Sequence, residues 1–265
     1  MCADIDLYSD TVTKPPIAMK QAMMEAFLGD EQLGEDPTTA KLEVDTARLL
    51  GKSAAMFFPS ATMCNQIAIS LFCRPGDEVI GAEQSHVFSS ENGGIAYHAR
   101  AQIRAIPTTK GIFSHEELKR SIRLINKAHI PKSTLVVIEN TMNAGGGTVW
   151  PLDYLNDVLS MAKEYNLKTH LDGARLFNAA IASKTDVKTL AHNFDSITIC
   201  FSKGLACPMG AILAFDSSYW NEVRRLKQLF GGAMRQSGIL AAACLYALDN
   251  HMDQLKLDHA HAQRL

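Results

Sequence analysis

From about Ser53 onward, short β-branched or aromatic runs alternate with helical patterns, and no other feature limits the fold so strongly. Strands that alternate with helices pair in parallel and need cover on both faces. The expected fold class is therefore α/β, with a mostly parallel sheet. Strands are expected over 54–58, 78–81, 102–106, 135–139, 169–172, 196–201 and 211–215. One intervening helix begins near Thr62 and aligns Met63, Ile67, Leu71 and Phe72. Another begins at Ser114, where Ser114 and Glu117 have capping-box spacing, and turns Leu118, Ile122 and Ile125 inward. A third opens with Pro151, carries Leu152, Leu155, Leu159 and Ala162 on one face, and ends near Asn166, which tolerates a left-handed cap.

The flanks do not follow this alternation. Residues 1–50 read as an arm and two helices, the kind of arm that reaches a neighbouring subunit, and residues 51–250 as one large domain. A helical pattern through Leu240, Cys244 and Leu248 runs past His251 to Leu265 without a stop signal, so 251–265 reads as the start of a truncated C-terminal segment.

Composition narrows the partners. A net charge of −2, with no long basic run, gives no field for nucleic acid or an anionic membrane, so small molecules and other subunits are expected. With 47% hydrophobic and 20% charged residues the chain reads as a soluble globular enzyme. Its start lacks the basic and apolar regions of a secretory signal, and no apolar stretch spans a bilayer. Six cysteines, Cys2, Cys64, Cys73, Cys200, Cys207 and Cys244, show no C-x-x-C pair, which argues against a zinc site or disulfide scaffold. A reduced cytoplasmic protein is expected, with the mitochondrial matrix as the alternative and no metal.

Four places could carry chemistry. Lys203 follows the apolar run at 196–201, where open α/β sheets bind ligands. Desolvation there would make its amine nucleophilic; the plainer role is a solvated strand-end lysine. Asp172 ends the run at 169–172 and precedes Gly173. Such a carboxylate could pair with a cofactor's pyridine nitrogen, or simply cap the next helix. Ser60, Ala61 and Thr62 join a strand to a helix and could hold a phosphate on free N–H groups and hydroxyls, although Ser60 could equally be an ordinary N-cap. His86, after the run at 78–81, could stack on a ring or move a proton, or be an ordinary surface or core histidine. His259 and His261 read as a solvated helix face. Gly51-Lys52-Ser53 is no phosphate loop, because position 46 is Thr46, and Gly145-Gly146-Gly147 lacks the dinucleotide fingerprint.

Several blocks in order resemble the low-specificity L-threonine aldolases, pyridoxal-phosphate enzymes of fold type I. They are Tyr8-Ser9-Asp10-Thr11-Val12-Thr13, Gly34-Glu35-Asp36-Pro37-Thr38, Ile138-Glu139-Asn140-Thr141, His170-Leu171-Asp172-Gly173-Ala174-Arg175, Phe201-Ser202-Lys203-Gly204-Leu205 and the Gly232 to Gly238 stretch. The resemblance implies pyridoxal 5'-phosphate as cofactor, Lys203 as its Schiff-base lysine, Asp172 against the pyridine nitrogen and His86 stacked on the ring. It also implies Ser60, Ala61 and Thr62 at the phosphate, Arg235 contributed by a neighbouring subunit, and Ser9 and Arg175 facing cofactor and substrate. Met142 stands where the family has a histidine and is expected to make the substrate site more apolar. Tyr8, Leu33 and Gln228 are further departures, and the family's small C-terminal domain is largely missing.

The resemblance further implies a homotetramer and retro-aldol cleavage of L-threonine, L-allo-threonine or related β-hydroxy-α-amino acids to glycine and an aldehyde, with His86 or a water it orients as base. β-Elimination, transamination, or a catalytically silent homologue are the alternatives, since a fold does not decide which bond breaks.

Overall fold

In the computed structural model, residues 6–123 and 127–265 are described; Cys2, the first residues of the chain and Ile125 lie outside them. The arm contains a short 3-10 turn at Asp10–Val12, then α1 (Ile17–Met24) and α2 (Pro37–Leu50). Asp36 caps α2 through Thr39 N–H, Pro37 sits where no N–H is needed, and Gly51 at φ 67° closes the helix left-handed.

The large unit follows as β1 (Ala54–Phe58), α3 (Ala61–Phe72), β2 (Glu78–Ala82), α4 (His86–Ser89), β3 (Gln102–Ile106), α5 (His115–Ser121), β4 (Ser133–Glu139), α6 (Leu152–Glu164) and β5 (Lys168–Gly173). It continues with α7 (Leu176–Ser183), α8 (Val187–Ala191), β6 (Ser196–Cys200), β7 (Ala211–Phe215), α9 (Trp220–Leu229), α10 (Gly238–Asn250) and α11 (Met252–Ala262). All seven expected strands form, with Phe201 left outside β6. The Ser114 capping box is present, but α5 stops at Ser121 and Ile122 turns extended. α6 ends as expected, with Asn166 at φ 54°.

The sheet order is β1-β7-β6-β5-β4-β2-β3. Only β7 runs antiparallel, to β1 on one side and β6 on the other, so β1 and β6 point the same way. Consequently β1, β2, β4, β5 and β6 all end on one edge. Alternation along β1 sends Ala55 and Phe57 into the larger core with α2 and α10, and Met56 and Phe58 into a second core with α3 and α9. Because both faces are buried, the strands read as continuous apolar runs.

The terminal helical pattern is two helices rather than one. His251 stands at the break, with Nδ1 2.8 Å from the Leu205 carbonyl oxygen. Leu255 of α11 is buried, and a Cβ built on Gly204 would lie 2.8 Å from its Cδ2, so α11 closes against the loop that carries Lys203. His259 Nε2 lies 3.2 Å from Asn178 Nδ2 of α7, which ties it to the fold, while His261 is exposed.

Candidate active site

The shared strand edge gathers Asp172, Lys203, Ser60 and His86. Asp172 and Glu139 are register partners at the ends of β5 and β4. Lys203 lies on the loop after β6, Ser60 on the turn after β1, and His86 opens α4 after β2. A concavity of about 670 Å³ beside Lys168 and Asp195 is at the opposite edge, where β5 and β6 begin. The strand-end edge is the candidate site, because the sequence-predicted side chains and the N-terminus of α3 converge there.

Asp172 is 2% exposed. Its Oδ1 accepts from Ala174 N–H at 3.1 Å and its Oδ2 from Asn65 Nδ2 at 2.9 Å. The next helix is capped at Arg175, not at Asp172, so simple capping does not explain this carboxylate. Among the described residues no lysine or arginine pairs with it. A buried carboxylate hydrogen-bonded only to neutral donors is suited to one more cationic N–H, which a protonated pyridine nitrogen supplies.

Asn65 can be oriented from its neighbours. Burial pushes His170 down to about 4, so its ring is neutral, and Ser196 Oγ lies 2.7 Å from Nδ1. His170 Nε2 then donates to Asn65 Oδ1 at 3.1 Å. The Asn65 amide hydrogens are left for Asp172 and for Glu91 Oε1, the latter at 2.8 Å. Glu91 Oε1 also meets His86 Nδ1 at 2.9 Å. One polar atom from each of His86, Glu91 and Asp172 lies within 4.8 Å of the others.

This hydrogen bond to Glu91 raises the His86 pKa above its ordinary value; burial opposes it, and Asp172 and Glu139 add to the rise. Glu139 fixes the backbone beside it, accepting from His86 N–H at 2.7 Å and Asn143 N–H at 2.9 Å. Burial and then the Asp172 charge push Glu139 up.

The arm folds over the same edge. Burial would raise Asp10, but Arg175 and the charge of Lys203 hold it below the usual carboxylate range. Both Asp10 oxygens meet Arg175 nitrogens at 2.7 Å. Thr13 Oγ1 donates to the Lys203 carbonyl at 2.7 Å, and Ser9 caps the turn between them through Thr11 N–H. No carboxylate forms an ion pair with Lys203 among the described residues.

Ser60 does cap α3, accepting from Met63 N–H at 3.2 Å. The first-turn N–H groups of Ala61 and Thr62 still lack intrahelical partners, and both Ser60 and Thr62 are exposed. Capping and phosphate binding are thus compatible here. Arg235 is exposed and engaged by Asp30 at 2.6 Å within the chain.

Met142 lies in the interior. Its side chain is fully buried in the main core, and a Cβ on Gly111 would lie 2.1 Å from its Cγ. It makes no accessible wall for a substrate in this structure. An apolar side chain at this position gains more from filling the space over Gly111 than from lining a polar cleft.

Sequence reasoning missed Asn65, Glu91, Glu139 and Asp10. Glu139 and Asp10 sat within recognisable blocks, which was a signal of sorts. Nothing local marked Asn65 or Glu91, whose partners arrive from separate elements.

Lys203, the cation-poor Asp172 and the open turn of α3 on one sheet edge fit pyridoxal phosphate, and this fold and site define a pyridoxal-phosphate enzyme of fold type I. The family model described as β-eliminating lyase matches residues 6–265, and the chain belongs to that family. It is 40% identical over 266 residues to a probable low-specificity L-threonine aldolase 2 of Arabidopsis thaliana, covering 98% of this chain and 74% of that protein. It is 41% identical over 259 residues to the low specificity L-threonine aldolase of Escherichia coli O157:H7, covering 97% and 77%. An uncharacterized protein of Caenorhabditis elegans is 40% identical over 262 residues, of which this chain spans 63% of the length. Among solved structures, the Leishmania major threonine aldolase superposes with a TM-score of 0.80 at 24% identity, covering 92% of this chain and 72% of that one. A putative L-allo-threonine aldolase of Listeria monocytogenes gives 0.78 at 22%, covering 91% and 66%. These two likenesses show the fold.

Proposed function

We propose that this chain carries out retro-aldol cleavage of L-threonine, L-allo-threonine or related β-hydroxy-α-amino acids to glycine and an aldehyde. The observation that carries the reading is the placement of Lys203 and the buried, cation-poor Asp172 on one sheet edge. The names of relatives about 40% identical over nearly the whole chain support this reaction over others on the same cofactor.

When bound, pyridoxal phosphate supplies the electron sink that lets a bond to the α-carbon break. Lys203 would hold it covalently through its amine. Asp172 keeps the ring nitrogen protonated, and Asn65 and Ala174 N–H hold Asp172 in place. The first turn of α3, with Ser60, Ala61 and Thr62, takes the phosphate, and Arg235 adds a charge from a neighbouring copy. Ser9 and Arg175 orient the substrate, with Arg175 held by Asp10. His86 Nε2, or a water on it, accepts the β-hydroxyl proton, while Nδ1 stays with Glu91.

A homo-oligomer is part of the proposal, with a tetramer as the expected size. The arm and first helices expose Leu7, Ile17, Phe27 and Leu33, each at least 69% accessible, which supports burial against another copy. A reduced compartment, the cytoplasm first, suits five described cysteines that are all free and buried. No described helix is long and apolar enough to cross a membrane. Glycine formation and threonine breakdown are the corresponding metabolic roles.

The test is incubation of the purified protein with pyridoxal phosphate and each threonine diastereomer. Glycine and acetaldehyde in equal amounts are expected. Pyruvate and ammonia from serine would replace the reading with elimination, and dependence on an oxo acid with transamination. Cofactor absorption without any product would mark a silent homologue.

A further inference from the structure

Glu91 lies five residues beyond His86, and the chain reverses after it through Asn92 and Gly93, at φ 51° and 73°. The reversal returns its side chain inward, where it has no accessible surface while that of His86 keeps 35%. Three N–H donors converge on it: His86 Nδ1, Asn65 Nδ2 and Gln66 Nε2. Gly94 admits the last of these, since a Cβ there would lie 2.5 Å from Gln66 Cδ. An ionised carboxylate only accepts, so its contact with His86 requires the imidazole hydrogen on Nδ1.

We propose that Glu91 is a positioning residue for His86, holding the ring by Nδ1–H and leaving Nε2 as the atom that accepts the substrate proton. This rests on His86 being the base in the reaction above. Carboxylates face His86 from three elements: Glu91 from its own loop, Glu139 from β4 and Asp172 from β5. Glu139 holds the backbone N–H, and Asp172 is engaged by Asn65 and Ala174 N–H. Of these three carboxylates, Glu91 is the one hydrogen-bonded to the ring. Asn65 joins the two sides, because its amide donates to Glu91 and Asp172 at once. The partner that sets the imidazole tautomer is therefore tied to the carboxylate that would serve the cofactor ring.

The experiment is nitrogen NMR of the full chain labelled at histidine, without and with pyridoxal phosphate, using His86→Gln to identify the His86 signals among nine histidines. Wild type should show neutral His86 as the Nδ1–H tautomer. In Glu91→Gln its titration should move to lower pH and the tautomer preference should weaken, while Glu91→Asp should restore part of both. The low-pH limb of kcat/KM should move the same way, and activity at neutral pH should fall roughly tenfold or more. An Nε2–H tautomer in wild type overturns the proposal even if the variant fails to fold. So does an unchanged His86 titration in a folded Glu91→Gln protein. The NMR readout needs no turnover, so it stands apart from failure of the retro-aldol reading.

Discussion

Replacing Asp172 with asparagine tests the centre of the site, because the two side chains have nearly the same shape. Asp172 presents two acceptors to two N–H donors, Asn65 Nδ2 and Ala174 N. An amide offers one acceptor and one NH2, so whichever way it turns, one N–H meets another. Asn65 cannot rotate to compensate, because its carbonyl already accepts from neutral His170 and its amide also serves Glu91. One buried donor left unsatisfied costs about 1–3 kcal/mol. For a protein of this size that lowers Tm by roughly 2–10 °C even without cofactor. With cofactor, loss of a charge-assisted hydrogen bond, worth about 1.5–3 kcal/mol, adds a drop of roughly 10- to 150-fold in kcat/KM. Asp172→Glu keeps the charge and should lose less activity, although its extra methylene costs about 1–3 kcal/mol in a packed site. The assays are thermal unfolding of the cofactor-free protein, absorbance titration with pyridoxal phosphate, and glycine release from threonine. An asparagine variant that binds cofactor and turns over within about twofold of wild type would refute the pairing of Asp172 with the ring.

Lys203→Ala should retain the fold and weak cofactor binding, yet borohydride should no longer fix cofactor to one dominant peptide; fixation at another lysine would move the anchor elsewhere. Met142→Ala should cost about 2–5 kcal/mol by opening a cavity over Gly111, read by denaturant unfolding. Met142→His should also destabilise while leaving the ratio of threonine to phenylserine cleavage unchanged; an altered ratio would return position 142 to the substrate site. Burial pushes Glu43 up to about 7, from an ordinary value near 4.5, where it accepts from Phe57 N–H beside Lys227. The folded state then binds the proton more tightly than the unfolded chain, so this group's stabilising contribution is full below about 4.5 and declines toward about 7. Glu43→Gln should flatten that part of the curve of urea midpoint against pH, and an identical slope in both proteins would show that Glu43 is not the group responsible.

The sequence by itself determined what depends on near neighbours along the chain. Apolar runs such as 54–58 and 211–215 became strands with unshifted bounds, and Ser114 with Glu117 formed its capping box, because both signals act within one or two turns of backbone. The strand-end placement of Lys203, Asp172, Ser60 and His86 followed from the same alternation, and the motif blocks pointed to the family. Tertiary structure decided which strand lies beside which, including the antiparallel β7 that leaves β1 and β6 pointing to a common edge. It also decided that Met142 packs over Gly111, and that the pattern through His251 breaks where the ring reaches Leu205. Asn65 donates to Asp172 across 107 residues of sequence and to Glu91 across 26. Neither residue carries a local signature of that role. Hydrogen bonds of this kind exist only after loops close and water leaves the sheet edge, so their partners are fixed by packing rather than by any spacing that can be read along the chain.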